Sequence, residues 1–211
     1  MLVPGLDTPA ARLAGIVAEL QVAGLTSHVF DYPVKEWTID RTALMLASYV
    51  EKEILRVETG RSVSVVGMCT GSLVARCYLS HYEVLPARRC VVVANPRHPM
   101  DKYRDSAPGW FGRKRFGTIA SQIKGLPDDA TGMCGKPPIP YGVIVTGTTL
   151  DPGMDKCDNP KVAGSLFTPP ALLKGARAVM YDPAAMPRAA NEKRVQSYIA
   201  AFIQHGWFVQ A

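Results

Sequence analysis

The sequence predicts a doubly wound α/β domain, a mostly parallel sheet of about six strands flanked by helices. Three observations predict it. Short apolar runs, Val63-Ser64-Val65-Val66, Cys90-Val91-Val92-Val93-Ala94 and Val143-Ile144-Val145, read as strands buried on both faces. Segments with apolar residues at helical spacing alternate with them, most clearly Val195, Tyr198, Ile199, Phe202 and Ile203. Finally, 211 residues suffice for one well-buried domain and are too few for two comfortable ones. Residues 1–211 are therefore expected to form one domain.

Taken in order, Leu2-Val3 is a short first strand that ends at Pro4-Gly5. Thr8 is expected to cap a helix with Pro9 at its first position and Leu13, Ile16, Val17 and Leu20 on one face. Gly24 closes it, and His28-Val29-Phe30 forms the next strand, stopped by Asp31-Tyr32-Pro33. A long helix follows from about Ile39 to Val57, with Ala43, Ala47, Val50 and Ile54 in register, and Gly60 terminates it. After the Val63 strand and its helix come the strands at Cys90 and Val143, then Ala176–Tyr181 and the closing helix. Residues 95–140 break the alternation. They are rich in Pro, Gly and charge, with one weak helical stretch near Thr118 to Lys124, and read as a lid-like insertion.

The bulk composition is that of an ordinary globular protein, 47% apolar and 20% charged. No apolar run reaches the roughly 20 residues of a membrane span, and the start lacks a charged leader, so the expected location is cytoplasmic. The net charge of +6 gathers in part at Arg113-Lys114-Arg115, beside Trp110, Phe111 and Phe116. With no nucleic-acid-binding motif, nucleic acid is not the expected partner. The five cysteines show no C-x-x-C pair and no ligand-like spacing to histidine, so no metal site is expected. Cys77 and Cys90 read as small core residues; a bridge between Cys134 and Cys157 is open, but free thiols are expected in the cytosol.

The stretch that carries chemistry is Gly67-Met68-Cys69-Thr70-Gly71, between an apolar strand and a helical pattern. Two glycines around one polar residue at a strand-to-helix turn describe a nucleophile elbow, because side chains at Gly67 and Gly71 would crowd the turn. Cysteine occupies the nucleophile position, where a helix N-terminus favours the thiolate.

Together the elbow, the element order and the start resemble the α/β-hydrolase superfamily, in particular its small lipase-like members. Leu2-Val3-Pro4-Gly5-Leu6 sits where those proteins carry an apolar strand followed by His-Gly, and Phe30-Asp31-Tyr32-Pro33 matches their second strand end. The resemblance extends to Phe202–Phe208 and so covers nearly the whole chain, although only the elbow is specific. The cysteine is a subgroup mark, similar to dienelactone hydrolases and polyhydroxyalkanoate synthases, where a Cys–His–Asp set attacks an ester or a coenzyme A thioester. Ser72 stands where that subgroup commonly has a further glycine.

The resemblance implies a minimal α/β-hydrolase fold with Cys69 as nucleophile and an oxyanion hole from the backbone N–H groups of Leu6 and Thr70. Asp151 is the candidate acid, with Asp155 and Asp158 as rivals. The histidine of the superfamily belongs after the last strand, but Tyr181-Asp182-Pro183-Ala184-Ala185-Met186-Pro187-Arg188 contains none. Of four histidines, only His98 follows a strand next to the elbow strand; His28, His81 and His205 read as structural or exposed.

Two functions follow as expectations. One is acyl transfer from a small-molecule ester or thioester, with Arg113, Lys114 and Arg115 receiving the phosphates if the donor is acyl-CoA; no resident cofactor is expected. The other is a degenerate member of the fold, a pseudoenzyme that binds a partner protein or a small molecule. Pro4 in place of histidine, the missing late histidine and an acid loop in which the lipase-like Asn-Asp-Gly-x-Val is scrambled as Asp158-Asn159-Pro160-Lys161-Val162 favour the second, and the intact elbow around a thiol favours the first.

Overall fold

The computed structural model describes residues 1–56, 62–82, 87–96, 114, 116–123, 134–148, 165 and 167–208. Five strands form one all-parallel sheet in sequence order: β1 (Leu2–Val3), β2 (Val63–Met68), β3 (Ala87–Ala94), β4 (Tyr141–Thr146) and β5 (Ala178–Asp182). Their Val and Ile residues are buried, in β2, β3 and β4 on both faces, which is why those strands read as continuous apolar runs. The His28–Phe30 segment adds a single parallel bridge on the outer side of β1, Leu2 to Val29. Leu2 N–H donates to His28 O (2.7 Å) and Phe30 N–H to Leu2 O (2.9 Å). The sixth strand of the sequence reading is thus reduced to this bridge.

Helices α1 (Ala14–Val22) and α6 (Lys193–His205) pack together against one face of the sheet. The other face carries α2 (Ile39–Tyr49), α3 (Thr70–His81) and the short α5 (Pro170–Gly175). The change of face has a topological cause. The chain goes from β1 outward to residues 28–30 and then back across to β2, so the right-handed crossovers put α1 and α2 on opposite sides. The reversal falls between β1 and β2, and ligands of open parallel sheets bind at the carboxyl edge of such a point.

Local details depart from the sequence reading where a distant partner intervenes. Thr8 does not cap a helix; its hydroxyl donates to Met186 Sδ (3.8 Å), and a 3-10 turn, Ala10–Leu13, precedes α1 instead. The long second helix is capped by Thr38, whose Oγ1 accepts from Arg41 N–H (3.3 Å), and widens into a π-helix over Val50–Leu55. A last helix, α4 (Thr118–Ile123), falls where the weak helical stretch was expected; most of the remaining 95–140 insertion lies outside the described residues. Among the described residues, no helix is long and apolar enough to cross a membrane.

Candidate active site

Cys69 closes β2 and starts α3 in a conformation that no other non-glycine residue among those described adopts, φ 54° and ψ −121°. Such strain persists only where the surroundings over-determine it. Here they do. Cys69 N–H donates to Val93 O of β3 (2.9 Å), and Ser72 N–H turns back onto Cys69 O (2.9 Å). A Cβ on Gly67 would stand 2.6 Å from Ser72 Cα and 2.7 Å from Gly71 O. One on Gly71 would lie 2.8 Å from Pro4 C and closer still to the carbonyl oxygens of Val3 and Pro4. Both elbow glycines are therefore required by backbone approach, the second because the helix start presses directly on the end of β1.

The loop after β1 completes this contact. A Cβ on Gly5 would lie 2.8 Å from Thr70 N, so residues 4–6 run against the first turn of α3, whose N–H groups have no intrahelical carbonyl to bond. Leu6 N–H, however, donates to Thr70 Oγ1 (2.9 Å). Of the two expected oxyanion donors, one backbone N–H is thus held by the side chain of the residue that supplies the other. Thr70 is fully buried, which preserves that bond from water.

Tyr32 is a neighbour that sequence reasoning missed. It is buried, stacks between Phe30 (centroids 5.4 Å) and Trp37 (6.5 Å), and donates its hydroxyl to Pro4 O (2.9 Å). Burial, and after it the charge of a Cys69 thiolate, push the Tyr32 phenol well above the ordinary tyrosine range. The only sequence signal was an aromatic at the end of the second strand segment. A cleft of about 770 Å³, the size of a small-molecule site, opens a few residues further on, lined by Lys35, Thr38, Thr118, Ser121 and Gln122.

The remaining sequence candidates divide. His28 precedes the bridge segment at its start, and His81 and His205 end α3 and α6, helices that return towards the amino edge of the sheet. None of these three is brought to the elbow. His98, Asp151, Arg113 and Arg115 lie outside the described residues, as do Asp155, Asp158 and Cys157; Lys114 is exposed. The loop after β5 does reach the site's edge. Gly147 N–H donates to Ala184 O (3.0 Å), and Met186 meets Thr8, three residues beyond Gly5. Asp182 anchors this loop: fully buried, it accepts from Ala184 N–H (2.8 Å) and from Arg194 Nε (2.8 Å). Where the superfamily resemblance implied a histidine, the loop brings a thioether. Cys69 itself is only 1% exposed, so a substrate must displace or pass the groups around it.

The five-stranded parallel sheet, its switch point and the elbow define an α/β-hydrolase fold. Solved structures agree. The chain is similar to the mature lipase BlEst2 of Bacillus licheniformis, at 14% identity and TM-score 0.58 over 86% of this chain and 83% of that one. It is similar to the NocB thioesterase domain of the nocardicin cluster, at 16% identity and TM-score 0.53 over 96% and 90%. It is also similar to a lipase-esterase related protein of Clostridium acetobutylicum, at 10% identity and TM-score 0.54 over 99% and 93%. No protein-family model and no curated protein sequence matches the chain.

Proposed function

We propose that the protein transfers acyl groups, with Cys69 as the nucleophile that takes the acyl group from an ester or a thioester. The observation that carries this reading is the strained backbone of Cys69 between two glycines that cannot be replaced without collision. The Cys69 thiolate attacks the carbonyl carbon; the C–S bond forms and the bond to the leaving alkoxide or thiolate breaks. Negative charge on the carbonyl oxygen is met by Thr70 N–H at the start of α3. Leu6 N–H joins it once it exchanges Thr70 Oγ1 for the oxyanion. His98 is the proposed base and Asp151 its orienting acid. Arg113, Lys114 and Arg115 are the proposed contacts for the phosphates of an acyl-CoA donor, and the cleft beyond Tyr32 would hold the rest of the donor. That lipases and a thioesterase domain share this fold supports the substrate class.

A second reading is a binding protein on a degenerate site. The occupied Leu6 N–H, the burial of Cys69 and Met186 on the loop after β5 favour it.

Intact-mass spectrometry of wild type and Cys69→Ala after incubation with acetyl-CoA and with p-nitrophenyl acetate separates the two. The expected result is one acetyl adduct on wild type that the variant lacks. No difference between the two proteins, both folded by circular dichroism, overturns the nucleophile and leaves the binding reading.

A further inference from the structure

The amino edge of the sheet, about 20 Å along the strands from the elbow, carries a row of cations that the proposed chemistry does not use. β3, β4 and β5 start side by side there, with Cys90 paired to Tyr141 and Gly142 to Ala178. β3 enters through a bulge: Val63 pairs with Ala87 and Val65 with Cys90, so Arg88 and Arg89 together stand opposite Ser64. A bulge re-aims side chains, and here both arginines turn towards α6. Arg89 Nη1 donates to Ile203 O and to Gln204 O (2.9 Å), near the end of that helix, and Arg88 lines a pocket with Ile203 and Gln204. Gly206 lets a third arginine in. A Cβ there would lie 3.2 Å from Arg89 Nε and 3.4 Å from Arg177 Nη1, so two guanidinium groups meet over one bare backbone position. Lys174 and Lys136 continue the row: a Cβ on Gly175, next to Lys174, would lie 3.4 Å from Lys136 Cδ.

Burial, and after it the charges of Arg88 and Arg177, hold the Arg89 guanidinium below its ordinary range. Arg89 is answered by the carbonyls of α6; the other four cations are not. Arg88, Lys136, Lys174 and Arg177 are exposed, and among the described residues none of them is paired with a carboxylate. Glu19, on the same face of the sheet as α6, is engaged by Lys193 and Ser197. Apolar side chains stand out at this edge as well. Of the four large ones that are exposed among the described residues, two are here: Val22 (86%) at the end of α1 and Trp207 (53%) just beyond α6. Gln204 Nε2 donates to Ala23 O (2.7 Å), which ties the two helix ends together. Phe208 folds back onto Phe202 (centroids 5.1 Å), but Trp207 stays outside, stacked on the exposed His205 (5.8 Å).

We propose that this edge docks on an anionic lipid surface. Its guanidinium and ammonium groups meet the lipid phosphates, and Trp207 and Val22 enter the headgroup layer, where an indole keeps its N–H wet and its ring apolar. The apolar side chains among the cations favour a bilayer over an acidic protein or a nucleic acid, because a polymer of charge gives Val22 no apolar layer to enter. Each basic group near such a surface strengthens binding by roughly fivefold, and salt screens the attraction. Docked this way, the elbow at the carboxyl edge faces away from the membrane. The contact therefore tethers the protein and does not feed lipid to Cys69.

The test is co-sedimentation of the whole chain with phosphatidylcholine vesicles, with and without about 30% phosphatidylglycerol. The expected result is binding to the mixed vesicles alone, weakened by added salt. Arg88→Gln combined with Arg177→Gln, both exposed, should lower the affinity about twentyfold. Arg12→Gln combined with Arg41→Gln makes the same charge change before α1 and in the first turn of α2, and should lower it less than about twofold. Mixed vesicles should shift the tryptophan emission to the blue in wild type and not in Trp207→Phe. No sedimentation with the mixed vesicles, an equal loss in the two double variants, or an emission that vesicles leave unchanged overturns the proposal. Binding to single-stranded DNA or to polyglutamate without binding to vesicles also overturns it, and makes the edge a site for a polyanion.

Discussion

Gly71→Ala is the perturbation that most directly probes how the fold builds the elbow. The added methyl would sit 2.8 Å from Pro4 C, with the carbonyl oxygens of Val3 and Pro4 nearer still, and all three are backbone atoms. Neither side has room to yield. β1 is held between the Val29 bridge and β2, and the start of α3 is tied to β3 through Cys69 N–H to Val93 O. Overpacking into a rigid contact costs about 3 kcal/mol. In a chain of this size that lowers the melting temperature by roughly 6–12 °C, at about 2–4 °C per kcal/mol. Gly24→Ala is the control: Gly24 has φ +74° but nothing within 4 Å of an added Cβ, so only backbone strain of about 1 kcal/mol applies. Thermal melts followed by circular dichroism measure both. Gly71→Ala melting no lower than Gly24→Ala would refute the claim that backbone contact between β1 and α3 fixes the elbow.

Thr70→Val removes the acceptor of Leu6 N–H and should cost about 1 kcal/mol. Its acetyl adduct should form at an unchanged or higher rate, measured by mass spectrometry over time, because Leu6 N–H is released to the oxyanion; a hundredfold fall would instead make the Thr70 hydroxyl the donor. Tyr78→Phe should raise stability by about 1 kcal/mol, since the buried Tyr78 hydroxyl has no hydrogen-bond partner among the described residues. The phenols of Tyr32 and Tyr78 are pushed up by burial, and that of Tyr141 to about 12. Unfolded tyrosines ionise near about 10, so above that pH the unfolded chain releases protons that the folded chain keeps. Stability should therefore hold below about pH 10 and fall as pH rises beyond it, less steeply in Tyr78→Phe, as read from urea midpoints between about pH 8 and 11.

What could be read from the sequence was whatever depends on local pattern. The Val-rich runs of β2, β3 and β4 were legible because a strand buried on both faces has no polar alternation to obscure it. The elbow was legible because Gly67 and Gly71 record backbone collisions directly. The rest turned on partners far along the chain. Thr8 has the chemistry of a helix cap, but Met186 claims its hydroxyl. The π-helical turns after Tyr49 left no trace, because Val50 and Ile54 stay buried four residues apart either way. Leu6 was read as a backbone donor, yet nothing local says that the Thr70 side chain would accept its N–H across 64 residues. Tyr32 was legible only as part of a strand end, Phe30-Asp31-Tyr32-Pro33; its importance comes from the fold setting its hydroxyl on Pro4 O.

The loop after β5 bears most on what chemistry the elbow can support. Asp182, paired with Arg194 and bonded to Ala184 N–H, fixes a path that crosses Gly147 and ends with Met186 against Thr8. The loop is therefore held firmly at the edge of the elbow, but a thioether sulfur cannot accept a proton at neutral pH. A serine at position 69 would depend wholly on a base from elsewhere. A cysteine does not, because a few per cent of a free thiol is already ionised and is the stronger nucleophile. The same reasoning distinguishes the two halves of the proposed reaction. Capture of an acyl group from a thioester expels a thiolate that needs no proton, whereas release of that group to water needs one removed from the water. On the proposed reading, without a base from His98 the first half would run and the second would stall, and an acyl group placed on Cys69 would leave on another thiol in preference to water.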